Sequence, residues 1–275
     1  MKHAPIGVFD SGYGGLTVLK ELTKVLPEND FLYLGDNART PYGTRSFRVV
    51  YDYTLQAVKY MFSQGCPLII IACNTASAKA LRNIQQLDLP HIASNRRVLG
   101  VIRPSVEKVA EITRNGHVGV LGTPGTVASE SYPIELQKWS DGKVVSTVQE
   151  ACPLWVPIVE NNEIDSEGAD YFVQKNIQNI LSKDKELDTL ILGCTHYPLL
   201  IKVIRKYVPD SIQILEQGEI VAEKLLDYLR RHPEMEKRLS KNSSIQFETT
   251  ESTETFTEKA ALFLGKEVVA KTVQL

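Results

Sequence analysis

Long apolar runs are missing from this sequence. Its most hydrophobic stretches are only strand-sized, whereas a membrane-spanning helix needs about 20 consecutive apolar residues. The opening MKHAPIGVFD has no apolar signal-peptide core, so a cytoplasmic location is the expectation. A basic excess is missing too. The 31 Lys and Arg against 33 Asp and Glu leave a net charge of −2, which is not the footprint of a nucleic-acid binder. Cysteine is sparse: Cys66, Cys73, Cys152 and Cys194 are too few and too scattered for a disulfide framework. None stands at CxxC spacing or among histidines in zinc-ligand register, so no metal site is expected. No lysine occupies a strand-end motif of the kind that would carry pyridoxal, and no cofactor is expected.

The 275 residues include 43% hydrophobic and 23% charged, an ordinary globular profile large enough for two modest lobes. Leu68–Ala72 is an uninterrupted apolar run that fits a strand buried on both faces. Cys73 follows it, then Asn74, Thr75 and small helix-forming residues that read as a cap and first turn. A thiol there sits at the carboxyl end of a strand and near the positive end of a helix, which favours the thiolate. A lone cysteine of this kind is more often structural. A second copy changes the weighing: LDTLILGCTHYPLL, residues 187–200, again runs from an apolar stretch to a cysteine, a hydroxyl residue and a plausible helix start.

The rest of the chain alternates in the same way. Strands are expected at Ile6–Asp10 and Phe31–Gly35, helices near Leu16–Val25, Ser46–Gln64 and Ala76–Gln86. Pro90, Asn95 and Pro104 break the pattern and mark a crossing. The rhythm restarts at VGVLGT from Val118, with a strand near Val144–Gln149 and a helix near Ser166–Ser182. IGVFDSGYGG with IIIACNTAS lies parallel to VGVLGTPGT with LILGCTHYP. The expected fold is therefore α/β, two similar lobes each with a mainly parallel sheet flanked by helices, and the active site in the cleft between them. Residues 1–98 plus 211–275 form the expected first lobe, carrying Cys73, and 99–210 the second, carrying Cys194.

Two thiols facing one carbon suit the removal of a proton from one side and its return on the other. Each must come to near-attack distance, about 3–3.5 Å, and an unperturbed thiol pKa of about 8.5 needs help from a neighbour. Asp10 in FDSGYGG and His196, two residues after Cys194, lie at the matching strand ends. Each has an ordinary alternative, as a helix cap or a satisfied polar side chain. Gly12, Gly14 and Gly15 let backbone amides approach an anion, although their spacing matches neither GxGxxG nor a P-loop. Ser11, Asn74, Thr75, Thr123, Thr126 and Thr195 add neutral donors suited to carboxylates. Glu160, in CPLWVPIVE, reads on its own as a surface or capping carboxylate, and Cys66 and Cys152, each before a proline, read as packing.

FDSGYGGLTV, Pro41-Tyr42-Gly43, ACNTASA, CPLWVPIVE and LGCTHYPLL, in this order, resemble the aspartate/glutamate racemase family, and glutamate racemases within it. The resemblance runs from about Ile6 to Ile220. It implies a cofactor-independent interconversion of L- and D-glutamate, supplying D-glutamate for bacterial peptidoglycan, by a cytoplasmic homodimer. Residue by residue, it makes Cys73 the base for D-glutamate and Cys194 the base for L-glutamate. Asp10 and His196 become their helpers and Glu160 a further acid. Substrate contacts fall on Asp10, Ser11, Pro41, Tyr42, Gly43, Asn74, Thr75, Thr123, Thr195 and His196. Tyr13, Ser105 and Gln217 depart from the pattern, where a smaller aliphatic residue, glycine and serine are usual. Competing readings are a racemase for aspartate or a related amino acid, a non-catalytic acidic amino-acid binder, and a thiol hydrolase built on Cys194 and His196.

Overall fold

A computed structural model describes residues 3–275. Among the described residues ten strands pair into two sheets in which every ladder is parallel. The first contains β1 (Ile6–Asp10), β2 (Phe31–Gly35), β3 (Leu68–Ile71), β4 (Arg97–Gly100), β9 (Ile245–Thr249) and β10 (Ala270–Thr272), in the order β10-β9-β2-β1-β3-β4. The second contains β5 (His117–Gly122), β6 (Ser146–Ala151), β7 (Thr189–Gly193) and β8 (Gln213–Leu215), in the order β6-β5-β7-β8. Four strands of the first sheet, 2-1-3-4, thus match the whole of the second, 6-5-7-8. The C-terminal segment adds β9 and β10 to the β2 edge.

Helices cover both faces of the first sheet, so its central strands are apolar on successive residues. Ile6, Val8, Leu68 and Ile70 join one core, while Phe9, Ile69 and Ile71 join the opposite one. The first of these cores continues without a break into Leu121, Leu190 and Leu192 of the second sheet. Val118, Val120 and Ile191 supply that sheet's other face. Each such side chain contributes about 1.5–3 kcal/mol when fully buried. Helix α1 (Gly15–Val25) buries Leu16, Val18, Leu19 and Leu22, and α2 (Phe47–Ser63) starts where the Ser46 hydroxyl accepts from the Val49 amide. The helix Gln217–Arg231 packs on both α1 and the helix Ile102–Ile112, bridging the lobes. Among the described residues no helix is long and apolar enough to cross a membrane.

Several expected boundaries move. β4 belongs to the first sheet and β8 to the second, so the chain crosses slightly later than residues 98 and 210. β4 escaped notice because its four residues, RVLG, follow a polar turn and carry little apolar signal. The helix expected over Ala76–Gln86 is present but broken: α3 (Asn74–Lys79) ends at Ala80, and the chain continues helical from Leu81 to Ile92 with a π-helical stretch over Ile84–Asp88.

Candidate active site

Parallel strands that end level deliver their following residues to one edge. Asp10 ends β1 and Cys73 follows β3; Thr123 follows β5 and Cys194 follows β7. The register carries the equivalence further. Phe9 pairs with Ile71 and Gly122 with Gly193, which sets Ser11 beside Cys73 and Thr123 beside Cys194.

The two edges meet. A Cβ at Gly14 would overlap Thr195 and His196, so only glycine lets the loop after β1 close on the loop after β7. At Gly43 a Cβ would come within 2.9 Å of the Thr123 side chain, and the Gly43 carbonyl accepts from the Gly125 amide at 2.7 Å. Thr75 Oγ1 lies 2.9 Å from Thr123 Oγ1 and 3.3 Å from Thr126 Oγ1, a cluster of hydroxyls joining the lobes. Asp10, Ser11, Asn74, Thr75, Thr123, Thr195 and His196 are all buried, as are Cys73 and Cys194.

Around Cys73 the neighbours are neutral donors and one carboxyl. Ser11 Oγ sits 3.3 Å from Cys73 Sγ, and the Ala76 amide donates to the sulfur at 3.4 Å, making Cys73 the cap of α3. The expected preference for thiolate does not survive burial. Desolvation, and then the charge of Asp10, push the Cys73 thiol up to about 12, with Cys194 adding to the rise. Burial also raises the Asp10 carboxyl, more than His196 and the Gly12 and Gly15 amides lower it. Asp10 Oδ2 accepts from the Gly12 amide at 2.9 Å, while Oδ1 has no protein partner among the described residues.

Around Cys194 the neighbours are an imidazole and its carboxylate. His196 Nδ1 lies 3.8 Å from Cys194 Sγ, and Nε2 lies 2.9 Å from Glu160 Oε1. Desolvation disfavours the imidazolium, but hydrogen bonds to Cys194 and Glu160 outweigh it and carry His196 up to about 10. Glu160 ends the short helix Trp155–Glu160, and the His196 ring makes a T-shaped contact with Phe263 of the helix Thr253–Leu264. The helix start expected directly after Cys194 is a 3-10 turn, Tyr197–Leu200, with His196 as its cap position.

Pro41, Tyr42 and Gly43 lie in the loop that closes over this edge. The Tyr42 hydroxyl, however, donates to buried Asp36 and its ring packs on Phe9 and Tyr53. The backbone, not the phenol, is what this loop offers to the cleft. Cys66 and Cys152 are fully buried, and both thiols are raised by desolvation. Sequence reasoning passed over Tyr132, which comes from the second lobe to meet Asn74, since no local pattern distinguishes it from a core tyrosine. Among the described residues no three His, Cys, Asp or Glu side chains are grouped to hold a metal ion.

The family model for Asp/Glu/hydantoin racemases matches residues 13–232. A glutamate racemase of Geobacter metallireducens is 41% identical over 231 residues, covering 84% of this chain and 82% of its own. A glutamate racemase isoform of Bacillus anthracis superposes with a TM-score of 0.89 at 34% identity, over 100% of this chain and 99% of that one. A glutamate racemase of Francisella tularensis, solved with D-glutamate, superposes with a TM-score of 0.87 at 31% identity, over 100% and 98%.

Proposed function

The chain belongs to the Asp/Glu/hydantoin racemase family, and from that premise we propose that it racemises glutamate by direct proton transfer between two thiols, without a cofactor. The observation that supports this most is the meeting of two equivalent strand-end cysteines, each with its own acid–base partner, across one interface. Cys73 thiolate takes the α-proton of D-glutamate, and the Cys194 thiol delivers one to the opposite face. The reverse reaction exchanges these roles. Neither direction gains or loses a proton overall, since one sulfur leaves protonated as the other leaves ionised.

The neighbours fit unequal starting states. With its pKa near 12, Cys73 rests as the thiol and is ready to donate. His196 accepts the proton that Cys194 gives up, and Glu160 holds the imidazolium in place. Ser11, Asn74, Thr75, Thr123 and Thr195, with the Pro41–Gly43 backbone, supply the substrate's carboxylate contacts. The physiological role that follows is D-glutamate supply for peptidoglycan, by a homodimer in the cytoplasm.

Incubation with L- or D-glutamate in heavy water tests the reading. Deuterium should appear at the α-carbon together with inversion, and absence of both from the intact chain would overturn it. The chain Cys194–His196–Glu160 taken alone also has the layout of a thiol nucleophile with an oriented base. That second reading assigns no task to Cys73 and Asp10, and a trapped acyl-enzyme would favour it.

A further inference from the structure

Beside Cys73 lies a closed ring of hydrogen bonds to which no role has been given. Asn74 Nδ2 donates to Gln217 Oε1 at 2.6 Å. Gln217 Nε2 donates to the Tyr132 hydroxyl at 2.8 Å, and that hydroxyl donates to Asn74 Oδ1 at 2.7 Å. All three side chains are buried, at 2%, 3% and 0% exposure. Gln217 Nε2 also donates to Ser105 Oγ at 2.7 Å, whose own proton goes to the Val101 carbonyl at 2.8 Å. Each of the three hydrogen bonds that close the ring runs from a donor to an acceptor, and reversing either carboxamide would set like groups against each other.

The placement of these residues gives the ring its consequence. Asn74 is the first residue of α3, directly after Cys73, and belongs to the first lobe. Tyr132 lies on the helix Ser131–Trp139 of the second lobe, and Gln217 opens the helix that bridges the two. The ring therefore forms only when three separate elements are docked. It consumes one N–H and one lone pair of the Asn74 carboxamide, so the other N–H has a single set direction. A closed ring of buried hydrogen bonds holds its members in one arrangement.

We propose that Gln217, acting with Tyr132, is a positioning residue that aims the Asn74 carboxamide at the substrate and ties that aim to the docking of the lobes. The inference rests on the racemase reading above. Enantiomers have equal free energy, so kcat/KM must be the same in both directions, and a lost substrate contact has to appear for L- and D-glutamate alike.

The test uses Gln217→Met, which keeps volume but removes the amide, and Tyr132→Phe, which removes one hydroxyl. Each should raise KM about tenfold for both enantiomers, the worth of about one hydrogen bond, with kcat changed less than about threefold. The double variant should be no worse than the poorer single one, because either change opens the same ring. KM within about twofold of the intact chain in Tyr132→Phe would overturn the proposal, even with a lowered Tm. Multiplying effects in the double variant would overturn it too, since independent sites contribute independently. Tyr132→Phe carries the test alone if Gln217→Met does not fold. An intact chain that exchanges no deuterium defeats the racemase reading itself. Exchange in the intact chain with unmoved KM values in the variants defeats only this inference.

Discussion

The two lobes share a strand order and place a cysteine at the same point of it, but they surround that cysteine differently. In the first lobe the sulfur has a serine hydroxyl, a backbone amide and a buried aspartyl carboxyl, and the thiol is held protonated. In the second it has a histidine lifted to about 10 and a glutamate behind it. The position matching Asp10 in the second sheet is Gly122, so the acid–base partner there comes from elsewhere in the chain. A duplicated frame thus supplies matched positions, while the chemistry at each depends on unlike neighbours. That asymmetry is useful to a two-base reaction. One group has to rest as an acid while the other is prepared to give up its proton.

The strongest test of the comparison removes one sulfur at a time. Cys73→Ala and Cys194→Ala should each lower racemisation by about 10⁴-fold, the upper end of what one positioned acid or base contributes. The two variants should differ in what remains. Cys73→Ala keeps the base for L-glutamate and should exchange deuterium into it without inversion, whereas Cys194→Ala should do so only with D-glutamate. Identical exchange behaviour in the two variants would show that the lobes are not divided in this way.

A smaller effect is expected from the helpers. Asp10→Asn and His196→Asn should each lower kcat/KM by about 10²-fold, the lower end of the same range. Glu160→Gln takes away a hydrogen-bonded carboxylate that raises His196. With that contribution gone and Cys194 alone left to oppose burial, the imidazolium loses its proton at lower pH and the alkaline limb of kcat/KM should move down. A pH profile unchanged by Glu160→Gln would separate His196 from the reaction.

The smallest changes in activity are expected at the other end of the sheets, where each lobe buries a carboxylate ahead of a different strand. Asp30, before β2, is buried and accepts from the Asn242 and Ser244 amides and side chains; Asp188, before β7, accepts from Thr113, Arg114, Asn115 and Thr189. Burial raises both carboxyls, but these donors outweigh it and the net shift is downward. The stability they supply is present above the unfolded carboxylate pKa, about 3.9, and is lost as pH falls through the lower folded values. Asp30→Asn and Asp188→Asn should each cost about 1–3 kcal/mol in denaturant unfolding at neutral pH, while kcat/KM stays within about twofold. A larger loss of activity would tie this end of the sheets to the cleft.

Short-range signals made most of the frame legible. Continuous apolar runs identified β1, β2, β3 and β7, and the residues at or within a few positions of their ends included Cys73, Cys194, Asp10 and His196. β4 and β10 were not legible, because short edge strands with exposed residues resemble loops in a one-dimensional pattern. Glu160 looked like a surface carboxylate until the fold brought it across 36 positions to His196. Ser105 and Gln217, 112 positions apart, appeared as two unrelated departures and are hydrogen-bonded partners.

Residue order alone therefore determined the alternation of strand and helix, the duplicated strand-end cysteines and the polar residues beside them, since each depends on neighbours within a few positions. Tertiary structure decided the protonation of the Cys73 sulfur, the pairing of His196 with Glu160 and the turning of the Tyr42 hydroxyl away to Asp36. Those outcomes depend on desolvation and on charges contributed by distant segments. Both arise only when the chain has closed around the group concerned.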